Sequence, residues 1–269
     1  MKRKIFPISI ALILLLVLVT PAFAITYGEP DGNAHPFVGS MVLKVPETGL
    51  FQICSGTLIA ENIFLTASHC TYGWEDFFER HPGSEMLVTF DPTISEDATF
   101  YTGVMHTNPE YGALNGESDM ADVGVIVLDE SPGITPARLP TAGLLDELKA
   151  EHVLKDTLFT AVGYGTVRET NRTGFQAILD NLDRNRVDQE FLSLTDAWLT
   201  LSMNLATGNG GTCYGDSGGP HFIHLNGVET DIVAAVTVTG DAPCKATDKT
   251  YRVDTETARR FLGNYVTLP

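Results

Sequence analysis

"GGTCYGDSGGP", residues 210–220, sets a single serine, Ser217, between glycines on both sides. Three readings fit so short a string. It satisfies the loose G-x-S-x-G of an esterase nucleophile elbow, it contains the longer GDSGGP nucleophile string, and its glycines suit a plain turn. An elbow requires an apolar strand entering the serine turn and a helix leaving it. Here "NGGTCY" is a poor strand and Gly218-Gly219-Pro220 a poor helix start. The downstream histidines, His221 and His224, lie too close in sequence to leave and return as a base.

Outward from this string the chain reads as β structure. "FVGSMVLKV", "CSGTLIAENIFLTA", "EMLVTF", "VGVIVLD", "TLFTAVGYG" and "DIVAAVTVT" are short β-type runs parted by Gly, Pro and Asn. Many short strands without βαβ alternation predict an all-β sandwich or barrel. Two helices are expected: "AGLLDELKAEHV" (142–153), with Leu144, Leu145 and Leu148 at helical spacing, and "DTETARRFLGNYV" (254–266), with Asp254 or Thr255 as N-cap. "SPGITPARLP", residues 131–140, is the candidate linker between two halves. Residues 168–210 give no clear pattern.

Upstream of the serine, "LTASHC" ends an apolar run at His69 beside Cys70, and "SDMADVGVIVLDE" opens a run that would bury Asp122. A serine hydroxyl is a weak nucleophile that needs a base in hydrogen-bond reach. The imidazole in turn needs an acceptor to hold its tautomer and stabilise its charge. His69, Asp122 and Ser217 supply these three types. Asp119 is the nearer rival to Asp122, but no apolar strand follows it directly.

Taken together, "ITYGEPDGNAHPFVGSMV", "CSGTLIAENIFLTASHC", "DVGVIVL", "AVGYG", "GTCYGDSGGP" and "YRVDTETARRFL" resemble, in order, the trypsin/chymotrypsin-type serine peptidases, and secreted bacterial members in particular. The resemblance implies two six-stranded antiparallel β-barrels, residues 25–135 and 136–269, with the site between them and a C-terminal helix. It implies a serine endopeptidase with His69 as general base and acid, Asp122 as its orienting partner, and Ser217 as nucleophile. The N–H groups of Gly215 and Ser217 would form the oxyanion hole. A new amino group on Ile25 would pair with Asp216. Gly211, six residues before the serine, would lie at the floor of the substrate pocket, with Thr212, Thr237, Val238 and Thr239 around it. A glycine floor does not support selection of Lys or Arg, and the bulk of Thr239 favours small or medium neutral side chains. Lys249 would admit an acidic side chain if it points inward. The rival reading is a catalytically silent homologue that binds peptides or a partner protein.

Residues 1–24 read as a secretory signal peptide: Lys2-Arg3-Lys4, the apolar "IALILLLVLV", then the cleavage site Ala22-Phe23-Ala24. An uncleaved anchor is the alternative. Cleavage before Ile25 would make removal of the signal the activating cut and leave a secreted, extracellular protein without stable membrane insertion. The formal charge of -17 becomes about -20 once three basic residues leave with residues 1–24. Such a surface repels nucleic acid and anionic membranes. Protein or peptide substrates are the expected partners, and a monomer the expected state.

Four cysteines, Cys54, Cys70, Cys213 and Cys244, allow three pairings in an exported chain, and spacing favours Cys54–Cys70 and Cys213–Cys244. No zinc-type spacing accompanies them. No cofactor is expected. The acidic loop "DPTISED" (91–97) stands where some relatives bind calcium but lacks the spacing of a defined site, and "NRT" (171–173) is a formal glycosylation sequon.

Overall fold

The computed structural model describes residues 25–112, 119–168 and 175–269. The expected signal peptide and the sequon lie outside them. The chain forms an all-β pair of barrels. The first is built from β2 (Val38–Val45), β3 (Gly49–Ala60), β4 (Ile63–Thr66), β5 (Glu85–Thr89), β6 (Gly103–His106) and β7 (Gly124–Leu128) in the order β5-β2-β3-β4-β7-β6. Reciprocal backbone bonds between Val88 and Tyr101 close it.

The second comprises β8 (Leu158–Gly163), β11 (Asn185–Leu194), β12 (Trp198–Ser202), β13 (Pro220–Leu225), β14 (Val228–Gly240) and β15 (Thr247–Arg252). Its order is β11-β12-β15-β14-β13-β8, and pairing of β8 with β11 completes the ring. A short pair, β9 (Val167–Arg168) and β10 (Ile178–Leu179), lies in the stretch that sequence left unread.

Local sequence explains the strands. β-Branched and aromatic residues dominate them, and the inward faces meet in barrel interiors such as Met41, Leu58, Phe64, Val88 and Ile126. Gly56 allows a close approach, because a Cβ there would collide with the Phe64 ring and the Leu65 carbonyl. A larger core joins the barrels, with Val38 and Leu65 of the first packed in one cluster with Val162, Phe222 and Tyr251 of the second.

Among the described residues, four short α-helices complete the fold: α1 (Ser68–Thr71), α2 (Glu75–Arg80), α3 (Leu144–Ala150) and α4 (Glu256–Leu262). Both expected helices are present, each shorter than its sequence window; α1 and α2 were not anticipated. The Thr255 side chain caps α4 by accepting the Ala258 N–H at 3.2 Å. Asp254 instead pairs with Arg252 at 2.9 Å.

The chain crosses between barrels more than once. Ahead of the first barrel, β1 (Glu29–Pro30) pairs with β11 of the second. The 131–140 segment binds both, its Ala137 N–H donating to Leu58 O and its Arg138 N–H to Asp231 O, each at 2.9 Å. Helix α4 follows the last strand of the second barrel and reaches the first, where Arg260 pairs with Glu110 at 2.6 Å and Tyr265 packs on His106.

Candidate active site

Strand β4 ends at Thr66, and α1 turns the chain at His69, leaving its side chain 30% exposed. Asp122 lies just before β7, its carboxylate buried. One carboxylate oxygen accepts the His69 backbone N–H and the other contacts Nδ1, both at 2.9 Å. The backbone and ring of His69 are therefore held by one buried carboxylate, which orients the imidazole with Nε2 away from Asp122. Asp119 is engaged elsewhere, accepting from Tyr251 Oη at 2.6 Å and from Thr257.

The Ser217 loop belongs to the second barrel and docks on the first. The Ser55 N–H donates to Ser217 O at 2.8 Å, and Cys70 Sγ, one residue beyond His69, lies 3.7 Å from the same oxygen. Gly218, at φ +79°, fits against Thr66 and Ala67, where any side chain would collide. Gly215 adopts φ +93°, a region open to glycine and strained for other residues. Its carbonyl accepts from Gln52 Nε2 at 2.8 Å and Ser55 Oγ at 3.1 Å. Among the described residues, the N–H groups of Gly215 and Ser217 make no hydrogen bond within the protein.

Asp216 is fully buried. Its oxygens accept the N–H groups of Gly165 at 2.7 Å and Cys213 at 2.9 Å. Burial outweighs those bonds and, with the nearby charge of Asp248, pushes its pKa up to about 7. Ile25 is also fully buried, and the next residue, Thr26, accepts the Gly211 N–H at 3.0 Å.

Disulfides join Cys54 to Cys70 and Cys213 to Cys244. The first lies beside His69, and Cys54, His69 and Cys70 bring ligand-type atoms within 4.8 Å of one another. Both sulfurs are committed to the bond, so this group is no metal cradle. In the 91–97 loop, one Asp91 oxygen is taken by the Thr99 N–H at 2.8 Å.

A cavity of about 220 Å³ opens beside Ser217, with Thr212, Thr237, Val238 and Thr239 among its walls. Gly211 does not line it. That glycine is buried behind Thr212, with Met203 and Gln189 so close that a Cβ would collide with both. Lys249 points away from the cavity and stands 4.2 Å over the Trp198 ring, which removes the basis for an acidic preference at this position. Sequence reasoning passed over Gln52 and Ser55, which hold the Gly215 carbonyl. It also passed over Asp248, the fully buried neighbour of Lys249. Strict alternation along β15 would have flagged Asp248 as the inward residue once Lys249 was considered.

The sequence model of the family described as Trypsin matches residues 27–261. The chain belongs to the trypsin family. It is 29% identical to "Trypsin" of Saccharopolyspora erythraea over 73% of this chain and 81% of that protein. It is 22% identical to "Trypsin 5G1" of Aedes aegypti over 79% and 85%. Among solved structures, one described as HL collagenase superposes with a TM-score of 0.63 at 16% identity, over 90% of this chain and 99% of that one. That likeness shows the two-barrel fold. As a trypsin-family protein the chain is a serine-type endopeptidase, a hydrolase whose substrates are proteins or peptides. No helix among the described residues is long and apolar enough to cross a membrane.

Proposed function

We propose that this chain is a secreted endopeptidase that cleaves peptide bonds through an acyl-enzyme on Ser217. The observation that carries the reading is the His69–Asp122 pair on one barrel beside a docked Ser217 loop from the other. His69 takes the serine proton as Oγ attacks the scissile carbonyl, and returns it to the leaving amine. Asp122 keeps the proton on Nδ1 and stabilises the imidazolium. The unbonded N–H groups of Gly215 and Ser217 suit an oxyanion hole, where one donor contributes about 3 kcal/mol to transition-state stabilisation. In domain terms, residues 1–24 are a leader, 25–135 the first unit and 136–269 the second.

Activation follows from Asp216. A carboxyl whose pKa rises from 3.8 to about 7 holds its charge at a cost of about 4 kcal/mol above that pH. The folded state then binds the proton more tightly than the unfolded chain, so stability falls as pH rises from about 4 to about 7. An ammonium on Ile25, freed by cleavage after Ala24, supplies the missing counter-charge. The buried Ile25 side chain and the Thr26–Gly211 bridge support that placement.

The test is labelling of secreted protein with a fluorophosphonate probe, beside Ser217→Ala, with intact mass to read the amino terminus. Labelling of the wild type alone, on a chain starting at Ile25, is the expected result. An unlabelled, correctly processed and disulfide-bonded chain would favour the peptide-binding homologue instead.

A further inference from the structure

The residue ahead of Asp122 is bent into an uncommon shape. Ala121 is fully buried at φ +51°, a backbone region that a residue with a side chain enters only at a cost. Asp119 holds it there. Oδ1 accepts the Ala121 N–H at 3.1 Å, closing the turn that leads into Asp122, and accepts from Tyr251 Oη at 2.6 Å. Oδ2 accepts from Thr257 Oγ1 at 3.2 Å. Donors from the turn itself, from β15 and from α4 therefore meet on one carboxylate.

The Tyr251 hydroxyl is fixed in its own right. The residue is wholly inaccessible, and its ring meets Trp198 edge-on, with centroids 5.5 Å apart and planes at 83°. Register sets the position, since Tyr251 pairs with Trp198 on β12 and Val236 on β14. Burial, the bond to Asp119 and the charge of Asp119 raise its pKa, and the charge of Asp122 adds to the effect. The hydroxyl therefore keeps its proton and remains a donor.

The residue after Asp122 is tied as well. The Val123 N–H donates to Ala121 O at 2.9 Å, and Val123 O accepts from Ser68 Oγ at 2.8 Å. Asp122 thus stands between two fixed neighbours, one held by its own barrel and the other by groups of the second barrel and α4. Such control matters here. The Asp122 carboxylate serves both the backbone N–H and Nδ1 of His69, each at 2.9 Å, and two bonds to one residue tolerate little drift.

We infer that Asp119 and Tyr251 are positioning residues for Asp122: the second barrel and α4 act through Asp119 to hold Ala121 in its bend, and the bend aims the Asp122 carboxylate at His69. This rests on the endopeptidase reading above, in which Asp122 orients the base. Asp119, the rival to Asp122 in the sequence, is its support in the fold. The first barrel carries the base and its partner, but their alignment is completed by strand β15 of the second.

The experiment measures kcat and KM on processed enzyme with a fluorogenic peptide that the wild type cleaves. Fluorophosphonate labelling of the wild type comes first, and folded enzyme is counted by circular dichroism and intact mass. Tyr251→Phe removes one oxygen and keeps the ring, whereas Asp119→Ala removes the carboxylate. Each is expected to lower kcat by about tenfold with KM within about twofold of wild type. Asp119→Asn keeps an oxygen that can accept from Ala121 and Tyr251, and should recover most of the loss. On an Asp122→Asn background, where the carboxylate to be aimed is gone, Tyr251→Phe should lower kcat by less than about twofold more. Tyr251→Phe carries the test alone should Asp119→Ala not fold. Labelled wild type with kcat unchanged in the folded variants, Asp119→Asn as impaired as Asp119→Ala, or an undiminished Tyr251→Phe loss on the Asp122→Asn background overturns the inference and leaves the endopeptidase reading intact. Wild type that does not label overturns the reading beneath it.

Discussion

His69 and His35 each bring Nδ1 to an aspartate, at 2.9 and 2.5 Å, yet their surroundings part at the other nitrogen. At His69 the ring is 30% exposed. At His35 it is 7% exposed, stacks on Phe222 at 5.1 Å, and turns Nε2 to Glu229 at 2.5 Å. Asp31, the partner of His35, is shared with the fully buried Arg184, which also binds the Val38 and Phe90 carbonyls. Both sites use the same pair of residue types. A histidine held on one side keeps a nitrogen for proton transfer, whereas one held on both sides becomes a tie between the amino-terminal arm and the second barrel.

The largest effect should separate the two in activity. His69→Ala is expected to lower kcat by about 10⁵-fold or more while the protein stays folded, and His35→Ala to leave the kcat of folded enzyme within a few-fold. Equal losses, measured on enzyme counted by circular dichroism and intact mass, would erase the distinction. Asp122→Asn should come next, at about 10⁴-fold in kcat, because the amide favours the wrong tautomer of His69.

Stability should show the opposite order. Removing the His35 ring leaves Glu229 and one oxygen of Asp31 without their partner, and His35→Ala is expected to cost about 3 kcal/mol in urea unfolding. The tie also has a pH window. Burial opposes the charge on His35, but Asp31 and Glu229 outweigh it and raise its pKa above 6.5. That contribution is complete below 6.5 and is lost as pH climbs through the raised value. Burial likewise opposes charge on Asp31 and Glu229. His35 outweighs it at both, aided by Arg184 at Asp31 and by His224 and Arg186 at Glu229, and lowers both values. Their contributions are lost as pH falls through those lowered values. The difference in Tm between wild type and His35→Gln should therefore be widest from about pH 4.5 to 6.5 and narrow on either side. A gap that stays constant into the alkaline range contradicts the charged tie.

The smallest effect belongs to the rim of this cluster. Arg186 meets Glu29 at 2.7 Å in an exposed setting, so Glu29→Gln should change stability by about 0.5 kcal/mol, less at high salt. A larger loss would mean that the buried tie depends on its solvated edge.

The strings around His69, Asp122 and Ser217 can each be read locally for strand and turn chemistry, and the structure pairs the first two at 2.9 Å. Also legible were the β class, both cysteine pairs by spacing, and the capping of α4 by Thr255 as one of two options. The His35–Glu229 contact was not legible, since it joins residues 194 apart through the turn between β13 and β14. Asp248 was missed for a different reason. Pairing along β14 slips between Thr237 and Thr239, so counting residues from the serine loses the register and lands on Lys249, one position away. Short helices α1 and α2 carry too few residues to show a period. In general, local strings revealed chemistry, while long-range pairing decided which side chain faces inward.

The first described strand and the last helix are anchored on the barrel that each did not build, β1 on the second and α4 on the first. A growing polypeptide therefore lays down every strand of its first barrel before the piece that seals it has been made. Its amino-terminal arm must likewise wait for a strand that does not yet exist. The molecule locks like a clasp whose halves interchange their tips, so a nick in the exposed turn at Ser131–Gly133 would break the backbone without releasing either half.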